Sequence, residues 1–149
     1  MTAFSLRAAT GDDLAAILPM TRALNAHEDI HVDPRVLEAA LAALLADARI
    51  GGVWLVLDLV GEIVGYAMVT FGYDLEFGGR DAWLTELWIA EQARARGAGG
   101  AALALLEPEL VASGVHAVHL QVRPDNPALR LYERSGFVAS PRVVMTRRL

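Results

Sequence analysis

The spacing of apolar residues divides the first third of the chain into one strand and two helices. Apolar and polar positions alternate in residues 3–10, AFSLRAAT, which predicts a first strand. Apolar residues then recur at helical spacing, and Thr10 with Asp13 fits a capping box at the start of that helix. Asp33-Pro34 predicts the start of a second helix, because aspartate caps helices and proline suits their first position. The Gly51-Gly52 pair is expected to end it.

The period of the pattern changes after these glycines, and three runs of apolar and β-branched residues follow. They are VWLVLDLV (53–60), IVGYAMVTF (63–71) and AWLTELWIA (82–90), and each reads as a strand. Gly61-Glu62 lies between the first two runs and predicts a tight hairpin. We therefore expect three consecutive antiparallel strands.

The remaining elements alternate between helix and strand. An Ala/Leu helix follows the turn ARARGAGG, and Pro108 is expected to kink or end it. HAVHLQV (116–122) predicts a strand, and Asn126-Pro127 predicts the start of a short helix. Residues 137–139 and 143–146 are expected to form two final strands. The order β-αα-βββ-α-β-α-ββ predicts a single α+β domain over residues 1–149, with a mixed, mostly antiparallel sheet.

Composition excludes several kinds of chemistry. The chain has no cysteine, and its 13 basic residues are all arginine, so thiolate and lysine nucleophiles are excluded. The net charge of −5 argues against general binding of nucleic acid. No apolar run is long enough for a membrane span, and the N-terminal residues lack a signal pattern, so we expect a cytoplasmic protein. High arginine and alanine content favours a bacterial source.

The turn between the third predicted hairpin strand and its helix has the features of an anion site. Unpaired backbone N–H groups and the positive end of a helix converge at such a junction. Gly97, Gly99 and Gly100 would let a phosphate approach the backbone, and Arg94 and Arg96 add cationic donors. A nucleoside triphosphate site is excluded, because the P-loop pattern and its lysine are absent.

Two motifs give the chain a family resemblance. The turn reads Arg94-Ala95-Arg96-Gly97-Ala98-Gly99, and about thirty residues later Asn126 is followed by Leu131-Tyr132 and Gly136-Phe137. Together with the element order, these motifs resemble the GNAT superfamily of acetyl-CoA-dependent N-acetyltransferases over essentially the whole chain. The resemblance implies a sheet that is splayed into a V between its fourth and fifth strands and flanked by helices.

The resemblance implies acetyl-CoA as the acetyl donor and no metal. The glycine turn would hold the pyrophosphate, and the pantetheine arm would pair with the bulged fourth strand, facing Leu120 and Val122. The predicted cofactor-binding residues are Leu87, Trp88, Ile89, Arg94, Arg96, Gly97, Ala98, Gly99, Gly100, Asn126 and Leu129.

Two residues are candidates for proton transfer. Tyr132 stands where the family has a tyrosine that protonates the departing sulfur, and the alternative is that it only packs. Glu86 is the only carboxylate inside its strand, and simple alternation puts it on one face with Leu84 and Trp88, just before the expected bulge. It would be a general base, or would orient the amine, or would pair with an arginine.

The acceptor side is predicted from loop residues. His27, Glu28, Tyr73 and Glu76 would form an acidic, aromatic mouth suited to a cationic amine, whereas Arg80 would bind a substrate carboxylate. Ordinary solvated loop charges are the alternative. A metal site at His27 and His31 is not expected, and His116 and His119 are interpreted as structural.

These observations predict an N-acetyltransferase that acts on a primary amine by direct attack in a ternary complex, since no cysteine can carry the acyl group. The alternative is a non-catalytic acyl-CoA-binding or sensing module of the same fold. The acceptor is left open between a small-molecule amine (a polyamine, amino acid or aminoglycoside-like compound) and a peptide or protein amine. Exposed edge strands make a homodimer the expected oligomer.

Overall fold

The computed structural model describes residues 3–149 as a five-stranded sheet with helices on both faces. The strands lie in the order β1-β2-β3-β4-β5; the first three pairings are antiparallel and β4 with β5 is parallel. Their bounds are β1 Phe4–Ala8, β2 Gly51–Asp58, β3 Ile63–Asp74, β4 Gly79–Ile89 and β5 Ala117–His119. The helices are α1 Leu14–His27, α2 Pro34–Ala46, α3 Glu91–Arg94, α4 Ala98–Ala112 and α5 Ala128–Arg134. This arrangement confirms the predicted α+β class.

The two faces of the sheet are covered by different helices. On the face that we call the helix-pair face, α1 and α2 bury apolar side chains such as Ile17 and Leu41 against Leu55 and Tyr66. On the opposite face, the α4 face, Leu103 and its neighbours on α4 pack against Trp54, Val69 and Leu84. Alternate residues of a strand point to opposite faces, so the same strands supply both layers of the core.

Local sequence signals place the early elements correctly. The Thr10 backbone N–H donates to Asp13 Oδ2 at 2.8 Å, and the Thr10 hydroxyl accepts from Asp12 N, which completes the predicted capping box. Asp33 Oδ1 accepts from the Arg35 backbone N–H at 2.8 Å and caps α2 as expected. No helix among residues 3–149 is long and apolar enough to cross a membrane.

Two helix ends differ from the prediction. Helix α2 ends at Ala46 rather than at the glycine pair, because Asp47 Oδ1 accepts from the Arg49 backbone N–H at 3.0 Å and forms a local turn instead. Helix α4 continues through Pro108 to Ala112. Proline removes a single backbone hydrogen bond, and the buried residues Leu106 and Leu110 on either side of it hold the last turns against the sheet.

The final two predicted strands are absent from the described structure. Residues 138–149 form no strand, and Val138, Val143 and Met145 are exposed by 91%, 83% and 90%. Strand β5 is also shorter than predicted, with three residues. A β-branched run forms a strand only where a neighbouring strand pairs with its backbone. Strand β5 has three residues, so it provides few backbone groups with which residues 138–149 could pair.

The pairing of β4 with β5 is confined to one end of β4. Asp81, Ala82 and Trp83 pair with Ala117, Val118 and His119, and no pairing follows beyond Trp83. Within residues 3–149, the remainder of β4, from Leu84 to Ile89, therefore has β3 on one side and no strand partner on the other. This separation corresponds to the V that was expected between the fourth and fifth strands.

Candidate functional site

A β-bulge in β4 sets the geometry of the candidate site. Met68 of β3 pairs with Glu86, and the next β3 residue, Val69, pairs with Leu84, so Thr85 is an extra residue on β4. The Thr85 hydroxyl donates to the Met68 carbonyl at 3.2 Å. The bulge lies just before Glu86, whereas the sequence interpretation placed it just after.

The extra residue changes which side chains share a face. Leu84 packs on the α4 face and Trp88 packs on the helix-pair face. Simple alternation, which put Leu84, Glu86 and Trp88 together, is therefore wrong, because the bulge shifts the alternation by one position. Glu86 lies with Trp88 on the helix-pair face, while Leu87 returns to the α4 face with Leu84.

Glu86 is held in a poorly solvated environment. Its side chain is half-buried, and burial raises the pKa of the carboxyl from its ordinary value to about 6, while the Tyr66 side chain lowers that pKa in part. The Tyr66 hydroxyl is fully buried, and no atom of residues 3–149 forms a hydrogen bond of normal geometry with it. Burial and the charge of Glu86 raise the pKa of Tyr66, so the phenol stays protonated. Glu86 is thus suited to take up a proton near neutral pH.

The glycine turn follows directly from the open end of β4. The short helix α3 is followed by Gly97, which has a φ of 79°, and α4 begins at Ala98. The first N–H groups of a helix have no intrahelical partner, so those of Ala98, Gly99 and Gly100 are available at the positive end of α4. The turn thus has the strand-to-helix context in which the sequence predicts an anion site.

The two arginines of the turn contact different neighbours. Arg94 Nε donates to the Ile89 carbonyl at 2.7 Å and so ties the turn to the end of β4. The Arg96 guanidinium carbon lies 5.4 Å from the centroid of the Phe4 ring. Both arginines are exposed residues.

Glycine is required at two positions of the turn for different structural reasons. A Cβ at Gly97 would meet nothing within 4 Å, so the surrounding space is open and the left-handed backbone is what requires glycine there. A Cβ at Gly99 would lie 3.0 Å from Leu131 Cδ2. Gly99 therefore allows α4 to approach α5 closely, a reason that the sequence interpretation did not include.

A second group of polar side chains joins the end of α1 to the start of α5. The Asn126 side-chain N–H donates to Glu28 Oε1 at 3.5 Å, and Asn126 Oδ1 accepts from the Ala128 backbone N–H at 2.9 Å. Burial and the negative charge of Glu28 raise the pKa of Tyr132. The Tyr132 ring contacts Phe137 edge-on, with centroids 5.9 Å apart. Leu129, the other predicted contact on α5, is half-buried.

The predicted acceptor residues are not gathered into one cluster. His27 is exposed at the end of α1, and Glu28 beside it faces Asn126. Tyr73 is 75% exposed at the end of β3, and Glu76 forms an ion pair with Arg142. Tyr73 and Glu76 therefore lie near the start of β4, at the end opposite Ile89.

Arg80 has a structural role that differs from the predicted carboxylate binding. Its Nη1 donates to the Ser113 carbonyl at 2.9 Å, just after the end of α4, and its guanidinium carbon lies 3.9 Å from the centroid of the Phe71 ring. A cation at a helix C-terminus is favourable because it offsets the negative end of the helix dipole. Arg80 faces α4 and lies away from Glu86.

Sequence reasoning missed two buried polar features. Tyr66 lies inside an apolar run, and only its pairing opposite Trp88 brings it towards Glu86. His119 was interpreted as structural, but its Nε2 lies 3.0 Å from Oδ2 of the buried Asp81. The only sequence signal for this pair was Asp81 itself, a charged residue near the start of a strand that is mostly apolar.

The fold and site define a class of proteins in which a bulged, open-edged strand leads into a glycine turn at a helix N-terminus. The sequence profile of the acetyltransferase (GNAT) family matches residues 19–137. The chain therefore belongs to the acetyltransferase (GNAT) family, which confirms the resemblance drawn from the two motifs.

Individual relatives agree with this assignment. The chain is 34% identical over 97 residues to Acetyltransferase ECA0875 of Pectobacterium atrosepticum, and the match spans 64% of each protein. An integron cassette protein, HFX_CASS3, from the mobile metagenome of Cole Harbour Salt Marsh superposes with a TM-score of 0.85 at 25% identity, over 97% of this chain and 90% of that one.

A third similarity concerns the fold alone. The aminoglycoside acetyltransferase meta-AAC0020 from an uncultured soil metagenomic sample, in complex with trehalose, matches with a TM-score of 0.76 at 18% identity, over 99% of this chain and 96% of that one. Membership of the acetyltransferase (GNAT) family indicates an acyltransferase.

Proposed function

We propose that this protein transfers the acetyl group of acetyl-CoA to a primary amine by direct attack in a ternary complex. Membership of the acetyltransferase family supports the reaction class. A double-displacement route through a cysteine is excluded, because the chain has none. The observation that carries the proposal is the half-buried Glu86 carboxylate, which the bulge at Thr85 directs to the helix-pair face.

Glu86 is assigned the role of general base. An amine attacks only as the neutral species, so the ammonium form must first lose a proton. A carboxyl with a pKa of about 6 is ionised at neutral pH and is also a stronger proton acceptor than an ordinary glutamate. Tyr66 lies in the core near Glu86, where burial raises the pKa of Tyr66 and the charge of Glu86 raises it further.

The residues of the turn and of β4 fit coenzyme A. The open side of Leu87, Trp88 and Ile89 offers backbone groups to an extended amide-containing chain, as an edge strand does. The N–H groups at the start of α4, the open space beside Gly97 and the guanidinium of Arg96 fit a pyrophosphate. When bound there, acetyl-CoA supplies the activated thioester.

Tyr132 is assigned the role of proton donor to the leaving sulfur. Its raised pKa keeps the phenol protonated before the reaction. Asn126 accepts from the first backbone N–H of the helix that carries Tyr132 and also donates to Glu28, so the two residues hold the start of α5 against the end of α1. Glu28 is therefore better suited to positioning α5 than to direct acceptor binding, while contacts from His27, Tyr73 and Glu76 to the acceptor stay predictions.

Thermal unfolding with and without acetyl-CoA tests the proposal first, with ATP and NAD as controls. A ligand at a hundred times its dissociation constant stabilises the native state by about 2.7 kcal/mol, which shifts the midpoint by several degrees. Release of free thiol in the presence of an amine panel then tests transfer. Stabilisation without thiol release on any amine would instead identify an acyl-CoA-binding module, and no stabilisation at saturating acetyl-CoA would contradict the proposal.

A further inference from the structure

The Asp81–His119 pair is a second polar group on the face of β4 that carries Glu86. Oδ2 of Asp81 lies 3.0 Å from Nε2 of His119, and the two residues sit at the start of β4 and the end of β5. The Asp81 side chain is 6% exposed and that of His119 is 23% exposed. The carboxylate is therefore enclosed, while the imidazole is partly exposed.

The surrounding residues make space for this pair. A Cβ on Gly72 would lie 2.6 Å from Asp81 Oδ1, so glycine at this β3 position leaves room for the carboxylate. The His119 ring contacts Phe77 and Trp83, with centroid distances of 4.9 and 5.0 Å. The pair is thus fixed in an aromatic enclosure rather than placed on a solvated surface.

The pair and Glu86 share one face of the sheet. Ala82 and Leu84 point to the α4 face, so Asp81 and Trp83, which alternate with them, point to the helix-pair face. Val118 packs on the α4 face, so its neighbour His119 also points the other way. His119 pairs with Trp83, which places it roughly 7–10 Å from Glu86 along the strand direction.

The chemistry of the pair favours a cationic group. A carboxylate only accepts hydrogen bonds, so Nε2 carries the hydrogen in this contact, and in that tautomer Nδ1 is the acceptor nitrogen. No hydrogen bond within residues 3–149 uses Nδ1. The negative charge of Asp81 behind the ring favours a cation beside Nδ1, and the rings of Phe77 and Trp83 pack next to the imidazole. Arg80 points to the opposite face, and Arg142 is already paired with Glu76.

We propose that the Asp81–His119 pair binds a second ammonium group of the acceptor, at a distance from the group that reacts beside Glu86. This inference rests on the proposed acetyl transfer and names its substrate class. The acceptor is a diamine whose nitrogens lie roughly 7–10 Å apart. A six-carbon chain provides this spacing, since seven bonds extend about 8 Å.

Acetylation of hexamethylenediamine and of hexylamine tests the inference, because the two differ only in the second amine. The wild-type enzyme should show a KM about tenfold or more lower for the diamine, as expected for one hydrogen bond to a charged group. His119→Phe keeps a ring between the aromatic neighbours and removes the acceptor nitrogen. It should abolish that preference by raising the KM of the diamine, with kcat and the hexylamine reaction unchanged.

Two further variants keep the test decisive. Asp81→Asn keeps the size of the side chain and removes the charge, so it should reduce the same preference even if His119→Phe folds poorly. His116→Phe changes the neighbouring histidine outside the pair and should retain the wild-type preference. Equal KM values for both amines in the wild type, or an equal loss on both amines in the variants, would overturn the inference.

Failure of this inference is distinguishable from failure of the proposed function. If acetyl-CoA stabilises the protein but neither amine is acetylated, the same amines are added to the coenzyme A complex in thermal unfolding. Extra stabilisation by the diamine alone, lost in His119→Phe, supports the subsite, and its absence contradicts it. If acetyl-CoA gives no stabilisation, the proposed function fails. The change in the unfolding midpoint on adding the diamine without cofactor then still tests the subsite by itself.

Discussion

The side-chain amide of Asn126 donates a hydrogen bond of 3.5 Å to the carboxylate of Glu28, although 98 positions separate the two residues in the chain. This contact joins the end of α1 to the start of α5, the helix that carries Tyr132. Burial raises the pKa of Tyr132, and the negative charge of Glu28 raises it further, so Glu28 also acts on the proposed proton donor.

Glu28→Gln should lower the pKa of Tyr132, because the amide keeps an acceptor oxygen for Asn126 and removes the charge. Ultraviolet titration of the tyrosines, with Tyr132→Phe used to assign the signal, measures the change. The neighbouring variant Asp29→Asn removes an exposed charge that pairs with His31 and should leave the titration unchanged. An unaltered pKa in Glu28→Gln would show that burial alone accounts for the shift.

Glu86→Gln should abolish the acid limb of the pH–rate profile. In the wild type kcat/KM should rise with pH through about 6, as the carboxylate becomes available to accept a proton. The variant should be slower by about 10²–10⁴-fold at neutral pH, with a loss that shrinks as the amine itself deprotonates at high pH. A loss of equal size at every pH would restrict Glu86 to orienting the substrate.

Glu86→Gln should also stabilise the fold above neutral pH. The pKa of Glu86 is raised in the folded protein, so its contribution to stability is fully present below the unfolded pKa, near 4.5, and is lost as pH rises through about 6. The rise in the pKa of Glu86 from 4.5 to about 6 corresponds to about 2 kcal/mol in the free energy of unfolding, as an upper limit. Urea unfolding at pH 8 and pH 4 measures it, and the exposed Glu38→Gln variant should show no such pH-dependent gain. Equal stabilities of Glu86→Gln and the wild type at both pH values would contradict the burial cost.

Tyr132→Phe should lower kcat with little change in the stabilisation by acetyl-CoA. The ring contact with Phe137 is retained, so only the proton donor is removed. Thiol release and thermal unfolding, measured on the same preparation, separate the two effects. A fully active variant would return Tyr132 to a packing role, and a loss of cofactor stabilisation would make it a binding residue.

Gly97→Ala should destabilise the native state by about 1–2 kcal/mol, because a φ of 79° is unfavourable for residues with a Cβ. The backbone N–H groups that follow should also be misplaced, which weakens binding of acetyl-CoA. Gly97→Asn should recover part of both losses, since asparagine tolerates this conformation. Gly11→Ala is the matched control, because a Cβ there meets nothing within 4 Å and φ is not positive. Cofactor affinity equal to that of the wild type in Gly97→Ala would remove the turn from the binding site.

Some parts of the fold follow from neighbours along the chain. Thr10 with Asp13, and Asp33 with the amides after it, are caps formed within a few residues, so local sequence specifies them. Wrong predictions arose where distant parts of the chain decide. Helix α4 passes Pro108 because the sheet holds its last turns, and residues 138–149 form no strand because no edge receives them.

Other predictions await experiment. The homodimer and the individual cofactor contacts depend on molecules other than this chain, and the cytoplasmic location and the bacterial source are not properties of the fold. They stay predictions, and the thermal unfolding and titration experiments bear first on the cofactor contacts.

The sequence by itself determined the order of the main elements as far as α5, the glycine turn at the start of α4 and the family, because periodicity and short motifs depend on residues close in the chain. Only the tertiary structure decided which side chains share a face of β4. The bulge at Thr85 depends on pairing with β3, and it moves Glu86 away from Leu84 and onto the face of the Asp81–His119 pair. A one-residue shift in strand pairing exchanges the two faces of a sheet, and the sequence of one strand cannot specify it.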